Sequence, residues 1–492
     1  MMITTASMAL RPTLLLASTA ASGGPPRAIP GSYGLPLLGP LKDRLDYFWF
    51  QGPDEFFRRR MAAHGSTVFR TNMPPTFPFF VGVDPRVVAL LDCASFAALF
   101  DASLVDKRDV LIGPYTPSLA FTGGTRVAVY LDPSEPAHAR VKSFCLDLLR
   151  RNARAWPSEF LRSLDAMLSA VESDMPSAGK PANFVLPLQK CIFSFLCRCM
   201  VGADPSADPT IAEFGFAMLD KWLALQLLPT QKVGVIPQPL EELLLHSFPF
   251  PFALVSGDYR KLYDFVDKHG GEVVRLAEAE YGLKKDEAIN NILFVLGFNA
   301  FGGFSVFFPF LISSIGGDRS GLRAKLREEA RRVLEAKELG FEAVREMELV
   351  RSAVYEVLRM KPPVPLQYGR ARADFVLRSH DAAFQVAKGE LLCGYQPAAM
   401  RDPRVFDDPD SFVPERFVGE RGRALLQYLY WSNGPETGRP TTENKQCAAK
   451  DYVVDTACLL VAEMFRRYDD FQCDDGGLAF TKLDKATMAQ VK

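Results

Sequence analysis

Two stretches near the C-terminus of this 492-residue chain decide its fold: Tyr430-Trp431-Ser432-Asn433-Gly434-Pro435-Glu436-Thr437, then Asn444-Lys445-Gln446-Cys447-Ala448-Ala449-Lys450. The run that follows, from Asp451 to Tyr468, has the periodicity of an amphipathic helix. Cys447 therefore falls close to a helix N-terminus. Free N–H groups and the positive end of the dipole there lower a thiol's pKa and suit it to metal ligation. Lys445, two residues earlier, adds a cation. One cysteine ahead of a helix is commonplace, and alone the signal is weak.

Two upstream elements strengthen it. Glu356-Val357-Leu358-Arg359 places an acid and a base three apart on one helix face, and Pro414-Glu415-Arg416-Phe417 supplies another Arg shortly before the cysteine. Each taken alone reads as a solvated charge pair. In this order the three elements resemble the cytochrome P-450 superfamily: its Glu-x-x-Arg pair, the Pro-Glu-Arg-Phe segment that completes an ion network, then the cysteine loop. The resemblance implies a mainly α fold with a small β portion. It also implies haem b (iron protoporphyrin IX), with Cys447 as the axial ligand whose thiolate pushes electron density onto iron and favours O–O cleavage.

The departures from that pattern are as informative as the matches. The superfamily's cysteine loop has the form Phe-x-x-Gly-x-Arg-x-Cys-x-Gly. Here Trp431 and Gly434 stand for its start, about nine extra residues separate Gly434 from Lys445, Lys445 replaces the Arg and Ala449 replaces the last Gly. A monooxygenase also carries an acid–Thr pair in its central helix to protonate bound dioxygen, and Gly297-Phe298-Asn299-Ala300-Phe301-Gly302-Gly303 has neither. An enzyme without that relay needs a substrate that brings its own O–O bond.

These features are similar to the plant fatty-acid-hydroperoxide branch of the superfamily, which comprises allene oxide synthases, hydroperoxide lyases and divinyl ether synthases. The similarity runs from about residue 30 to the C-terminus. It implies haem-propionate contacts from Lys107 in VDKRDVLIGPY, from His138 and Lys142 in LDPSEPAHARVK, and from Lys445, with Asn299 over the iron and hydrogen-bonded to the hydroperoxide. His138 and Lys142, at i and i+4, share one helix face. Members share homolysis of the O–O bond to an alkoxyl radical that closes to an epoxide beside a carbon radical. In allene oxide synthases a Phe stabilises that radical until it is oxidised. The ungapped alignment of Lys-Arg-Asp-Val-Leu-Ile-Gly-Pro-Tyr puts Leu111 at this place, and a second pocket position, often Ser in the synthases, falls on Val129. Two aliphatic residues point to the lyase outcome. A 13-hydroperoxide of linoleic or linolenic acid would be cleaved through a hemiacetal into a C6 aldehyde (hexanal or 3Z-hexenal) and a C12 oxo-acid, without O2, NADPH or a reductase, in oxylipin biosynthesis. The plain reading of Leu111 is a core residue, and allene oxide synthase is the alternative within the family. A conventional monooxygenase, a non-catalytic haem sensor and a membrane-spanning protein are the readings outside it.

The rest of the chain is consistent with this. Apolar residues make up 48% and charged residues 23%, the profile of a globular chain with a large core, and 38 Phe suit an apolar ligand. A net charge of −1 gives nucleic-acid binding no electrostatic support. Nine scattered cysteines form no disulfide framework, and Cys191, Cys197 and Cys199 in CIFSFLCRCM read as buried structural thiols rather than metal ligands. No acid precedes Asp43, and the opening stretch is rich in Ser, Thr and Ala. Residues 1–25 therefore read as an organellar transit peptide or a disordered tail ahead of a single domain, 26–492. Composition does not separate plastid from mitochondrion, but the resemblance to plant enzymes points to the chloroplast. Peripheral attachment to a plastid membrane suits a lipid substrate, although no strongly basic amphipathic helix argues for it.

Periodicity predicts helices over 52–64, 137–152, 156–173, 187–202, 211–228, 259–281, 287–315, 321–336 and 346–360, with strand-like runs at 67–70, 79–83 and 375–377. The span 367–446 reads as loop-rich. No charge falls between Glu287 and Asp318, so that run is long enough to cross a bilayer. Asn290, Asn291, Asn299 and the Gly302–Gly303 pair favour instead the central helix of a large core.

Overall fold

The computed structural model describes residues 25–76, 79–80, 82–175, 181–474 and 476–486. Most of the expected transit peptide lies outside them. The apolar run folds as one long helix: α-helix Lys285–Phe294, a π-helical segment Val295–Phe301 and α-helix Gly302–Gly316. Length and composition would let it cross a membrane, yet half of its most apolar window is buried inside the protein. Its amides have protein partners. Asn291 Oδ1 accepts the Ala128 N–H at 3.0 Å while Nδ2 donates to Glu287 O at 2.9 Å. Asn290 accepts from the Tyr259 hydroxyl and donates to Asp286 O. A polar side chain satisfied in this way sits in a core at little cost. Helix Pro209–Leu227 lies directly on the central helix, because a Cβ on Gly297 would stand 2.8 Å from Leu219 and Trp222 and one on Gly302 2.6 Å from Leu223.

The charge pairs of the sequence are not solvated. Glu356 and Arg359, on helix Glu348–Met360, are fully buried. Arg359 grips both carboxylate oxygens at 2.8 Å, and Arg416 reaches the same oxygens at 3.1 and 3.0 Å. The remaining guanidinium donors of Arg359 end on the carbonyls of Met400, Pro409 and Ser411. The network thus pins the irregular chain ahead of the cysteine loop to the helix. Removing one partner strands a buried charge, so Arg359→Ala should cost about 3–5 kcal/mol, read as a lowered urea midpoint of unfolding. Lys325→Ala, which breaks only the exposed pair with Glu415, should leave the midpoint where it is.

The small β portion is larger than periodicity suggests. A five-stranded sheet runs Val68–Asn72, Arg86–Leu90, Leu391–Tyr395, Leu366–Ala371, Val105–Asp106; the second and third strands pair in parallel and the others antiparallel. Hairpin Phe375–Arg378/Ala383–Val386 and a three-stranded sheet holding both C-terminal strands complete it. Three expectations are corrected. The span 367–446 contains most of four strands, of which periodicity predicts only that at Phe375–Arg378; Leu391–Tyr395 is hidden because it is buried along its whole length and does not alternate. Residues 79, 80, 82 and 83 form no strand; the strand begins at Arg86. The helix expected over 259–281 breaks at Gly270 into Ser256–His269 and Gly271–Tyr281.

Candidate active site

Helix Lys450–Arg467 begins three residues after Cys447, and the turn between them is closed by the Lys450 N–H on Cys447 O at 3.1 Å. The Ala449 N–H hydrogen-bonds the Cys447 sulfur. The expected lowering of the thiol's pKa does not follow. Burial raises it and outweighs Lys142, the Ala449 N–H and Lys450, which act the other way. Coordination to a metal would have to remove the proton. The trio Cys191, Cys197 and Cys199 is buried, unpaired and, by burial, far from ionising, so those thiols are structural.

The four basic residues meet. Lys445 Nζ donates to Ala128 O at 2.7 Å and Leu131 O at 2.8 Å, with Val129 O at 3.4 Å. Lys107 Nζ donates to Tyr368 O at 2.6 Å, because strand Val105–Asp106 pairs with Leu366–Ala371. On helix Pro136–Asn152, His138 Nδ1 faces Thr442 O at 3.1 Å and Lys142 donates to Gln446 O. None of these side chains rests on a carboxylate. Asp132, which sequence reasoning passed over although Asp-Pro-Ser is a turn signature, is nearest. Burial alone would raise its pKa, but the Lys107 N–H, Ser134 and Arg372 saturate it and hold it well below the usual range. Burial is the main load on the basic groups, and Lys445 and His138 carry that of basic neighbours as well. Burial pushes Lys107 down to about 7 and, with Lys142 and Lys107, pushes Lys445 down to about 7. Burial, then Lys445 and Lys142, pushes His138 down to about 4.

Buried cations resting only on carbonyls, beside a thiol, form a donor set that lacks an anion. An iron porphyrin, with two carboxylates on one edge and an axial site for sulfur, fits it. A consequence is testable in the haem-free protein. An unfolded Lys titrates near 10.4, so between about pH 7 and 10 the unfolded chain binds more protons and stability must rise with pH. The thermal midpoint of the haem-free protein should climb from pH 7 to 9, the climb should shrink in a Lys107→Met/Lys445→Met double variant, and haem should suppress it.

The π-helical segment Val295–Phe301 includes Asn299. Such segments occur disproportionately at functional sites. Asn299 is exposed midway along a helix whose flanks are largely buried, and among the described residues its amide has no hydrogen-bond partner. Leu111 and Val129 are half-buried. Both pack against the protein's main hydrophobic core. Leu111 sits in a turn closed by the Gly113 N–H on Val110 O.

Residues 320–436 match the family model described as Cytochrome P450. Over 455 residues the chain is 58% identical to a linolenate hydroperoxide lyase, chloroplastic, of Arabidopsis thaliana, covering 92% of each protein. The chain belongs to the cytochrome P450 family. It falls in the branch that holds hydroperoxide lyases and allene oxide synthases. A fatty acid hydroperoxide lyase, chloroplastic, of Solanum lycopersicum is 54% identical over 461 residues, 93% of this chain and 96% of that protein. An Arabidopsis thaliana allene oxide synthase, chloroplastic, is 45% identical over 472 residues, 94% and 90% respectively. The family implies haem.

Proposed function

We propose that this chain is a chloroplast haem-thiolate lyase acting on fatty acid hydroperoxides, and that it cleaves the 13-hydroperoxides of linoleic and linolenic acid into a C6 aldehyde and a C12 oxo-acid. The observation that carries this is the graded similarity: 58% and 54% identity to hydroperoxide lyases against 45% to an allene oxide synthase over the same span. The two fragments together contain all the atoms of the substrate, so neither O2, NADPH nor a reductase is required.

In this reading Cys447 holds haem b, with Lys107, His138, Lys142 and Lys445 meeting its propionates. When bound, the haem supplies the one-electron chemistry that splits the O–O bond. The residues do the rest. Asn299, its amide uncommitted, would hydrogen-bond the hydroperoxide and orient it. Leu111 and Val129 offer the radical carbon only aliphatic surface, so nothing delays scission of the carbon chain.

A lipid surface is the proposed partner. Leu37, Leu38, Phe50, Phe79, Val235 and Leu243 are exposed. Their three segments are stitched together: Arg44 bonds Thr76 O, Ser247 and Glu242, and Phe48 stacks on His246 at 3.7 Å. Exposed apolar side chains on segments joined in this way suit an interaction site and peripheral attachment near a lipid substrate.

The test is to incubate purified holoenzyme with 13-hydroperoxylinolenic acid, without reductant, and identify the products by mass spectrometry. The expected result is 3Z-hexenal with a C12 oxo-acid. Ketols derived from an allene oxide, or turnover only with NADPH, would sink the reading.

A further inference from the structure

Iron ligation requires Cys447 to be held still, but it does not by itself require the excursion 435–444 that precedes it. The excursion leaves and returns at one neck. Ser432 O accepts the Cys447 N–H at 2.8 Å, and Asn433 Nδ2 donates to Lys445 O at 3.0 Å. Between these ties lies the side chain of Gln446, almost wholly buried. Its Nε2 donates to Ser432 Oγ at 3.2 Å and to Pro435 O at 2.7 Å. The same carboxamide fills the space that side chains on two glycines would take. A Cβ on Gly434 would lie 3.0 Å from Gln446 Cδ and Nε2, and one on Gly438 2.8 Å from Oε1. Neither glycine has a left-handed backbone, so their need is for space: at Gly434 for the carboxamide, and at Gly438 for the carboxamide and the Pro435 carbonyl, 3.0 Å from its Cβ position.

We propose that Gln446 is the positioning residue of the axial cysteine, and that the excursion is the shell that supplies its acceptors and its space. The inference rests on Cys447 being the iron ligand. Gln446 is covalently next to that ligand, and its side chain ties the return strand of the loop both to the start, at Ser432, and to the excursion, at Pro435. A ligand constellation works only when held to within about 0.5 Å, and groups that orient a ligand matter nearly as much as the ligand. Without the carboxamide the strand keeps its ties to Ser432 O, Asn433, Asn444 and Lys142 but loses those to Ser432 Oγ and Pro435 O, the two that bind it to the loop's start and to the excursion beside the sulfur.

Gln446→Met keeps the length of the side chain and removes both hydrogen bonds. In purified holoenzyme the thiolate–CO band per mole of haem should fall by about half or more, with haem content and far-ultraviolet circular dichroism as in the parent. Gly434→Ala should do the same from the opposite side by pushing the carboxamide off its acceptors. In a Gln446→Ala background, where there is nothing to push, Gly434→Ala should add no further loss. A parental band ratio in both single variants overturns the proposal, as does an equal further loss from Gly434→Ala in that background. If Gln446→Met does not accumulate folded, Gly434→Ala decides alone, and an unchanged band in it is overturning. Absence of the band from the unmodified holoenzyme would instead refute Cys447 as ligand, which separates the two failures.

Discussion

Cys447→Ala should abolish the thiolate–CO absorption band and reduce hydroperoxide turnover by at least about a thousandfold, the equivalent of about 4 kcal/mol of activation free energy. The variant should still take up haem, because the hydrogen bonds that hold the four basic groups do not use the sulfur. Only one other thiol competes for the role. Cys145, on helix Pro136–Asn152, lies close enough to Cys447 for their charges to interact, and burial pushes its pKa up to about 11. It lacks both features that favour Cys447: a place just before a helix N-terminus and an N–H on the sulfur. Cys145→Ala should therefore keep the band. A band that survives Cys447→Ala and disappears in Cys145→Ala would transfer the ligand one helix away.

The chemistry was legible in the sequence where it depends on local residue order. Glu356, Arg359 and Arg416 form the network their order suggests, and the basic residues that the family resemblance singled out, whose part in holding haem is proposed above, lie near one another. What could not be read depends on the third dimension. The pKa of Cys447 is one case: its position before a helix predicts lowering, yet burial, which no local pattern reports, wins. Strand Leu391–Tyr395 is another, since a strand covered on both faces has no alternation to show. Gln446 is the clearest. In sequence it is an unremarked neighbour of the cysteine. Its partners Ser432 and Pro435 stand more than ten positions away in the chain and meet it only after the excursion has folded back.

Leu111→Phe should divert at least about half of the product from C6 aldehyde to allene oxide, seen as its ketol hydrolysis products, while substrate consumption stays within about tenfold of the parent. The position allows the exchange. Leu111 is half-buried, in a short turn at the rim of the core rather than inside it. A larger ring there costs less than the about 1–3 kcal/mol of overpacking a closed core. Its effect should be chemical. An aliphatic wall gives a carbon-centred radical nothing to interact with, and the fastest exit is scission of the neighbouring bond. An aromatic face stabilises the radical long enough for oxidation and proton loss. Leu111→Met, which conserves volume without adding a π face, is the control and should leave the aldehyde fraction unchanged. Gas chromatography with mass detection on both variants decides the matter. If Leu111→Phe folds, binds haem and still yields the parental aldehyde fraction, the partition does not reside at Leu111. Val129 is then the next position to alter: its carbonyl faces Lys445, leaving its side chain as the second half-buried aliphatic group of the same core.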